Sequence, residues 1–299
     1  MTHNTPRPTL FTPSYLGDLE RLLLMRRTLR RFLASPCRHI VAVPEADMRA
    51  FRSAMGTDDC ELIAQQSLVD SRYFPHAAYR LITGIAPNQA WRLSRWAGRP
   101  GWIIQQIAKL GAAALCEPSA PMIVVDSDLF FVRPFGLDDI APLGRRVLVR
   151  EEPDSESGKH REHIAGARRL LGLPPGGTEH HYMAYPAIMY PDWVAALLKH
   201  IESVHGQPWQ EVLRGTETFS EYSLYGIFVE EVLAPPELMR RDQPFNLILW
   251  DQTSFTDFFR DPRSALERNP ERICVVAQSN LGIPTRTYHR AVEELLQRP

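Results

Sequence analysis

Apolar and polar positions recur along the chain with two periods, and the switching between them predicts an α/β fold. Pro8 to Tyr15 reads as a short first strand running into a loop. Gly17-Asp18 then opens a helix in which Leu19, Leu22, Leu23, Leu29, Phe32 and Leu33 form an apolar stripe, with Arg21, Arg26, Arg27, Arg30 and Arg31 mostly elsewhere. His39 to Val43, closed by Pro44, predicts a second strand. Glu61 to Gln65 predicts a third, after a helix near residues 45–55. Strand, helix, strand, helix, strand is the pattern of a parallel sheet with helical crossovers.

Further on, Gly101 to Leu115 reads as a helix ended by Pro118 and Pro121. Met122-Ile-Val-Val-Asp126 follows, a continuous apolar run that suits a strand covered on both faces. Arg146 to Arg150 and Pro186 to Tyr190 predict strands. Between them, residues 151–180 are rich in charge, Gly and Pro and read as a connection around one short helix near Ile164 to Leu171. Helices are expected over Pro191 to Val204, Thr218 to Leu233 and after Pro235-Pro236, then a late strand at Ile273 to Ala277 and a terminal helix around Arg290 to Gln297. There is no internal repeat. At 299 residues and 44% apolar, the chain is expected to form a single α/β domain around a mostly parallel sheet flanked by helices.

A formal net charge of −1 gives no global field toward nucleic acid or an anionic membrane. The four cysteines, Cys37, Cys60, Cys116 and Cys274, lie far apart without a C-x-x-C pair, which argues against a zinc ribbon or redox dithiol. The N-terminal stretch is polar and proline-bearing, and nowhere do about 18 apolar residues run consecutively. The expected location is therefore cytoplasmic, with no membrane span.

The chemistry concentrates at Ile123-Val-Val-Asp126-Ser-Asp128-Leu-Phe-Phe131, two carboxylates spaced i, i+2 where a buried strand gives way to a loop. Ligand crevices of open parallel sheets lie at the carboxyl ends of their strands. Two close carboxylates offer a hard divalent cation oxygen ligands and leave positions open for phosphate oxygens. A bare D-x-D is common in solvated turns, but the apolar residues on both sides favour Asp126 and Asp128 as ligands for Mn2+ or Mg2+.

Thr12-Pro-Ser-Tyr15 with Asp18, Gln105 to Lys109, Val125-Asp-Ser-Asp128 and Phe219 to Tyr225 together resemble the GT-A nucleotide-sugar glycosyltransferases, in particular a poorly characterised bacterial D-x-D branch. The resemblance covers most of the chain. It implies a GT-A-like Rossmann-type sheet, with a nucleotide-binding half at about 1–135 and an acceptor-side half at about 136–299. Thr12, Ser14 and Tyr15 are then expected at the nucleotide, and Asp126 and Ser127 at the donor, the first acid also approaching the ribose. A UDP-sugar is the expected donor, and a glycan or glycolipid of a bacterial surface polysaccharide the expected acceptor. Many relatives supply a third metal ligand as a late histidine, whereas here the corresponding stretch reads Gln278-Ser279-Asn280.

From Ser71 to Cys116 there is no acid, while Arg72, Arg80, Arg92, Arg95, Arg99 and Lys109 fall inside, interleaved with Trp91, Trp96 and Trp102. Such a basin suits a diphosphate, with Lys109 the foremost candidate; packing of the same side chains over the core is the bland alternative. Thr218-Phe-Ser-Glu221 matches a capping box, which alone would explain Glu221. The resemblance also implies an acid there as the catalytic base toward the acceptor hydroxyl. His180, His181 and Tyr182, and Asn246, Trp250 and Asp251, are weaker acceptor-side candidates. Two rival functions share the D-x-D: a haloacid-dehalogenase-type phosphatase, whose pair normally sits near the start of its domain, and a nucleotide-sugar-binding module without turnover.

Overall fold

A computed structural model describes residues 7–34, 37–56, 60–69, 101–142, 144–152, 158–176 and 180–296. Its central sheet has the order β3-β2-β1-β4-β7, formed by β1 (Thr9–Pro13), β2 (Arg38–Val43), β3 (Glu61–Ala64), β4 (Met122–Val124) and β7 (Ala187–Met189). Neighbours among β1 to β4 pair in parallel; β7 runs antiparallel on the edge, with Ile123 opposite Ile188. Every residue of β1 and β4 is buried, as expected of strands covered on both faces.

The helix α1 (Leu19–Phe32) leads from β1 to β2 and buries Leu22, Met25, Leu29 and Phe32 against the sheet. Arg26, expected on the polar face, is buried as well. Leu24 looks the other way, into a second cluster with Phe130, Phe255, Phe258, Val275, Tyr288 and Val292. That cluster accounts for the aromatic run after the acids, which forms a strand, β5 (Leu129–Phe131), rather than a loop. Leu129 and Phe131 face the main core and Phe130 the second, so alternate side chains are buried on opposite faces. β5 pairs antiparallel with β10 (Cys274–Ala277), which in turn pairs parallel with β9 (Asn246–Leu249).

β6 (Arg146–Val149) joins neither sheet; it pairs in parallel with β8 (Leu238–Arg241). The segment after Pro235-Pro236 is thus a strand, and the expected helix is absent there. Its ladder with β6 has no sequence-local trace, because the two strands lie far apart in the chain. The helix expected near Ile164 is longer, Gly158–Leu170, and the terminal helix spans Thr285–Leu296 and packs on α1. The helix expected over Thr218 to Leu233 divides into an α-helix, Glu221–Ile227, and a π-helical turn, Phe228–Leu233. Among the described residues, no helix is long and apolar enough to cross a membrane.

Candidate functional site

All four parallel strands end at one cavity of about 620 Å³. β1 supplies Ser14, Tyr15, Leu16 and Asp18; β2 supplies Pro44, Ala46 and Asp47; β3 supplies Gln65 and Gln66; β4 supplies Asp126, Ser127 and Asp128. Trp102, Ile104 and Gln105 of the helix Gly101–Ala112 and Ser279, after β10, complete the wall. This is where an open parallel sheet places a ligand.

Local bonds shape the wall. Ser14 N–H donates to Ala42 O at 2.9 Å and Leu16 N–H to Asp47 Oδ2 at 2.9 Å, which ties the first loop to the second. The Tyr15 ring, 52% exposed, folds over Gly17, where an added Cβ would come 2.5 Å from Tyr15 Cε2. A side chain at position 17 would displace the Tyr15 ring from this pose. Val125 N–H donates to Phe11 O at 2.9 Å, extending the β1–β4 ladder to the residue before Asp126.

Asp126 and Asp128 have different surroundings. Asp128 is held from β10: its carbonyl accepts from Ala277 N–H at 2.9 Å, and its Oδ2 accepts from Ser279 N–H at 3.0 Å. Burial, with the charges of Asp126 and Asp18, pushes its carboxyl up to about 6 against the pull of the Ser279 N–H. Asp126 lies against Lys109, whose Nζ donates to Oδ2 at 3.2 Å and comes within 2.9 Å of Oδ1. Oδ1 is buried and accepts no hydrogen bond of good geometry in spite of that short distance, and Ser14 Oγ is likewise buried without a partner.

Lys109 does not line the described wall. Its ammonium is enclosed behind Asp126, 2.8 Å from Glu221 Oε1 and donating to Tyr222 Oη at 2.8 Å, with the Tyr222 ring centroid at 4.6 Å. Burial alone would lower its pKa, but the Asp126 and Glu221 carboxylates raise it above the usual lysine value. Glu221 is equally buried, and burial raises its pKa against the pull of Lys109. It does not line the described wall. Nor does it complete a capping box: the helix Glu221–Ile227 has Ser220 at its N-cap without a side-chain cap bond, and Glu221 N–H donates instead to Gln106 Oε1 at 2.9 Å.

Thr12 is buried in β1 with its hydroxyl 2.9 Å from His39 Nε2, and it does not line the described wall. Ser14, Tyr15, Asp126, Ser127 and Asp128 do lie on the wall. On the expected acceptor side, His181 is buried, Tyr182 donates to Glu230 Oε2 at 2.6 Å, and Asn246 Oδ1 accepts from Tyr185 N–H at 2.7 Å. Asp251 caps the helix Gln252–Arg260 by accepting from Ser254 N–H at 2.7 Å. Arg72, Arg80, Arg92, Arg95, Arg99, Trp91 and Trp96 lie outside the described residues. Asp47, at the start of the helix expected near 45–55, and Gln65 and Gln66, at the end of the third predicted strand, were not singled out in the sequence.

The described wall carries four carboxylates, Asp18, Asp47, Asp126 and Asp128, and no lysine or arginine. Asp18 is balanced by Arg21 at 2.6 Å, Asp47 is engaged by Leu16 N–H and Asp126 faces Lys109 at 2.9 Å, so the uncompensated charge centres on Asp128. Among the described residues, no three His, Cys, Asp or Glu groups close a metal cage. Two carboxylates suffice for Mg2+ or Mn2+ when phosphate oxygens and water complete the shell. Asp128, whose carboxyl is raised by burial and by the neighbouring Asp126 on the same wall, fits such an ion. Ser279 meets Asp128 through its N–H, a donor that cannot ligate a cation.

The chain matches, over residues 8–297, a family described as "Family of unknown function (DUF6492)". No curated protein matches it. Among solved structures, mouse xyloside xylosyltransferase 1 in its apo form aligns with a TM-score of 0.46 and 11% identity, covering 92% of this chain and 99% of that one. The galactosyltransferase LgtC, in complex with donor and acceptor sugar analogues, aligns with a TM-score of 0.47 and 10% identity, covering 96% and 95%. Scores below 0.5 at such identities decide nothing about chemistry, which rests on the wall itself.

Proposed function

We propose that this chain, which belongs to the DUF6492 family, transfers a glycosyl group from a nucleotide-sugar to a hydroxyl acceptor with the help of a divalent cation. The observation that carries the reading is the cavity at the ends of the parallel strands, with Asp126 and Asp128 on a described wall that holds acids and no base. A cation between these acids and an anionic diphosphate would relieve their repulsion. Asp126 and Asp128 would hold Mn2+ or Mg2+, which supplies neutralisation of the diphosphate leaving group.

The remaining wall residues bind and orient. The exposed Tyr15 ring offers a face for the nucleotide base, and the Gln65 and Gln105 carboxamides offer paired donors and acceptors for a base edge or sugar hydroxyls. A UDP-sugar is the donor we assign, and a glycan or glycolipid the acceptor. Behind the wall, Lys109 holds Asp126 in one orientation and Glu221 serves as its second counterion.

Thermal melts with UDP-, GDP- and CDP-sugars, each with and without Mn2+, test the reading. A donor bound only by the folded state at 100 times its Kd adds about 2.7 kcal/mol of stability. The expected outcome is a rise in Tm with a UDP-sugar in the presence of Mn2+ only. Absence of a rise with every donor and cation pair would overturn it.

A further inference from the structure

The backbone at Gly17 gives no reason for a glycine. The residue lies in the short turn Leu16–Asp18 after β1, and its φ is not in the left-handed region that glycine alone adopts freely. The obstacle to a side chain is Tyr15. An added Cβ would come 2.5 Å from Tyr15 Cε2, 3.0 Å from Cζ and 3.2 Å from Oη, so its three nearest atoms all belong to one ring. A glycine loses more conformational freedom on folding than an alanine does, and the position therefore forgoes stability to keep that ring in its pose.

The main chain around the ring is clamped. Leu16 N–H donates to Asp47 Oδ2 at 2.9 Å, Asp18 N–H donates to Tyr15 O at 2.9 Å, and the Asp18 carboxylate is held by Arg21 at 2.6 Å. Arg21 also donates to Ile283 O at 3.1 Å, which ties the turn to the C-terminal segment. With the turn fixed, what a side chain at position 17 would change is the rotamer of Tyr15. That ring is 52% exposed and lines the cavity, and the charges of Asp18 and Asp128 both act on its phenol. A ring half in water adds little to the core, so fold stability does not account for the protection of its pose.

We infer that Gly17, which does not itself line the cavity, is a positioning residue for the donor: the room it leaves fixes the Tyr15 ring where the nucleotide packs against it. This rests on the glycosyltransferase reading and extends it from the residues on the wall to one that acts through them. A glycine needed only by the fold would matter whichever residue stands at position 15. A positioning glycine matters only while position 15 carries a ring.

The test is a double-mutant cycle, read by isothermal titration with UDP, GDP and CDP in the presence of Mn2+. Gly17→Ala is expected to weaken the nucleoside diphosphate that wild type binds by about tenfold, the scale of one base stacked on an aromatic ring. Its melting temperature without ligand is expected to match or exceed that of wild type, since the backbone there suits alanine. In Tyr15→Phe, which keeps the ring, Gly17→Ala should cost the same factor. In Tyr15→Ala, which removes it, Gly17→Ala should cost nothing further. Unchanged affinity in Gly17→Ala, or an equal loss in the Tyr15→Ala background, overturns the inference. Failure of Gly17→Ala to fold would assign the glycine to the fold and overturn it too. Those outcomes leave the glycosyltransferase reading in place, whereas absence of binding of all three diphosphates by wild type would remove that reading and the inference with it.

Discussion

The two sides of the cavity wall hold polar groups on different terms. On the open side, Asp128, Ser14, Gln65 and Gln105 face a space large enough for a nucleotide-sugar. On the buried side, Lys109, Glu221 and Tyr222 are bonded to one another, and Thr12 to His39. Asp126 belongs to both. Groups that must meet a ligand stay incompletely satisfied by the protein, whereas groups that hold the wall in shape are partnered internally, since an unpaired buried charge is costly.

The strongest way to break this contrast is Lys109→Met. It leaves Asp126 and Glu221 enclosed without their cation, and loss of one partner of a buried pair costs about 3–5 kcal/mol. Denaturant melts should show that loss, and Lys109→Met combined with Glu221→Gln should recover part of it. A loss below about 1 kcal/mol would move Lys109 to the open side.

His39 sharpens the contrast through pH. Burial, and then the charges of Arg26 and Arg30, push its imidazole down to about 3. Its folded pKa lies below the unfolded value of about 6.5, so the unfolded chain binds more protons between them. The stability it contributes is complete above about pH 6.5 and is lost as pH falls toward 3, at up to about 1.4 kcal/mol per unit. His39→Gln should therefore have a shallower acid limb, about 2–3 kcal/mol less steep between pH 7 and 4.5. Parallel limbs for the two proteins would show that His39 is not the group titrating.

Asp128→Asn is expected to act in two directions. Because its carboxyl is raised, the ionised form opposes folding at pH 7, so the substitution should leave stability unchanged or raise it by about 1–2 kcal/mol. The same variant should lose the Mn2+-dependent donor shift. Retained cation-dependent binding in Asp128→Asn would take the metal away from this pair. The smallest effect is expected from Gln65→Ala, within about 0.5 kcal/mol in stability. Donor affinity should fall by roughly tenfold or less, the worth of one hydrogen bond. Isothermal titration of the donor reads it, and a loss of folding instead would put Gln65 among the structural groups.

Much of the first half was legible because its signals are local. Short apolar runs closed by turn residues mark β1 to β4, and the helical stripe of α1 needs only its own spacing. The D-x-D stood out because Asp126 and Asp128 interrupt an apolar stretch. Other signals misled for equally physical reasons. Phe130 and Phe131 read as flanks of a loop, since a strand buried on both faces shows no alternation. Thr218 and Glu221 have capping-box spacing, but Gln106 reaches the helix end from another element and Lys109 takes the carboxylate.

The sequence by itself determined the mostly parallel α/β class, the place of the acidic pair at a strand end, and the residue types available near it. Those follow from periodicity and turn chemistry, which act within a few residues. Only the tertiary structure decided which side of the wall each of them occupies. Thr12 and Ser14 are two residues apart in the first strand and its loop, yet one hydroxyl is spent on His39 and the other is left at the cavity. Lys109 is 17 residues from Asp126 and 112 from Glu221, and its role was set when three separate elements closed around one ammonium. A charge's role depends on the field of neighbours that folding brings to it, and that field is not written in its own vicinity along the chain.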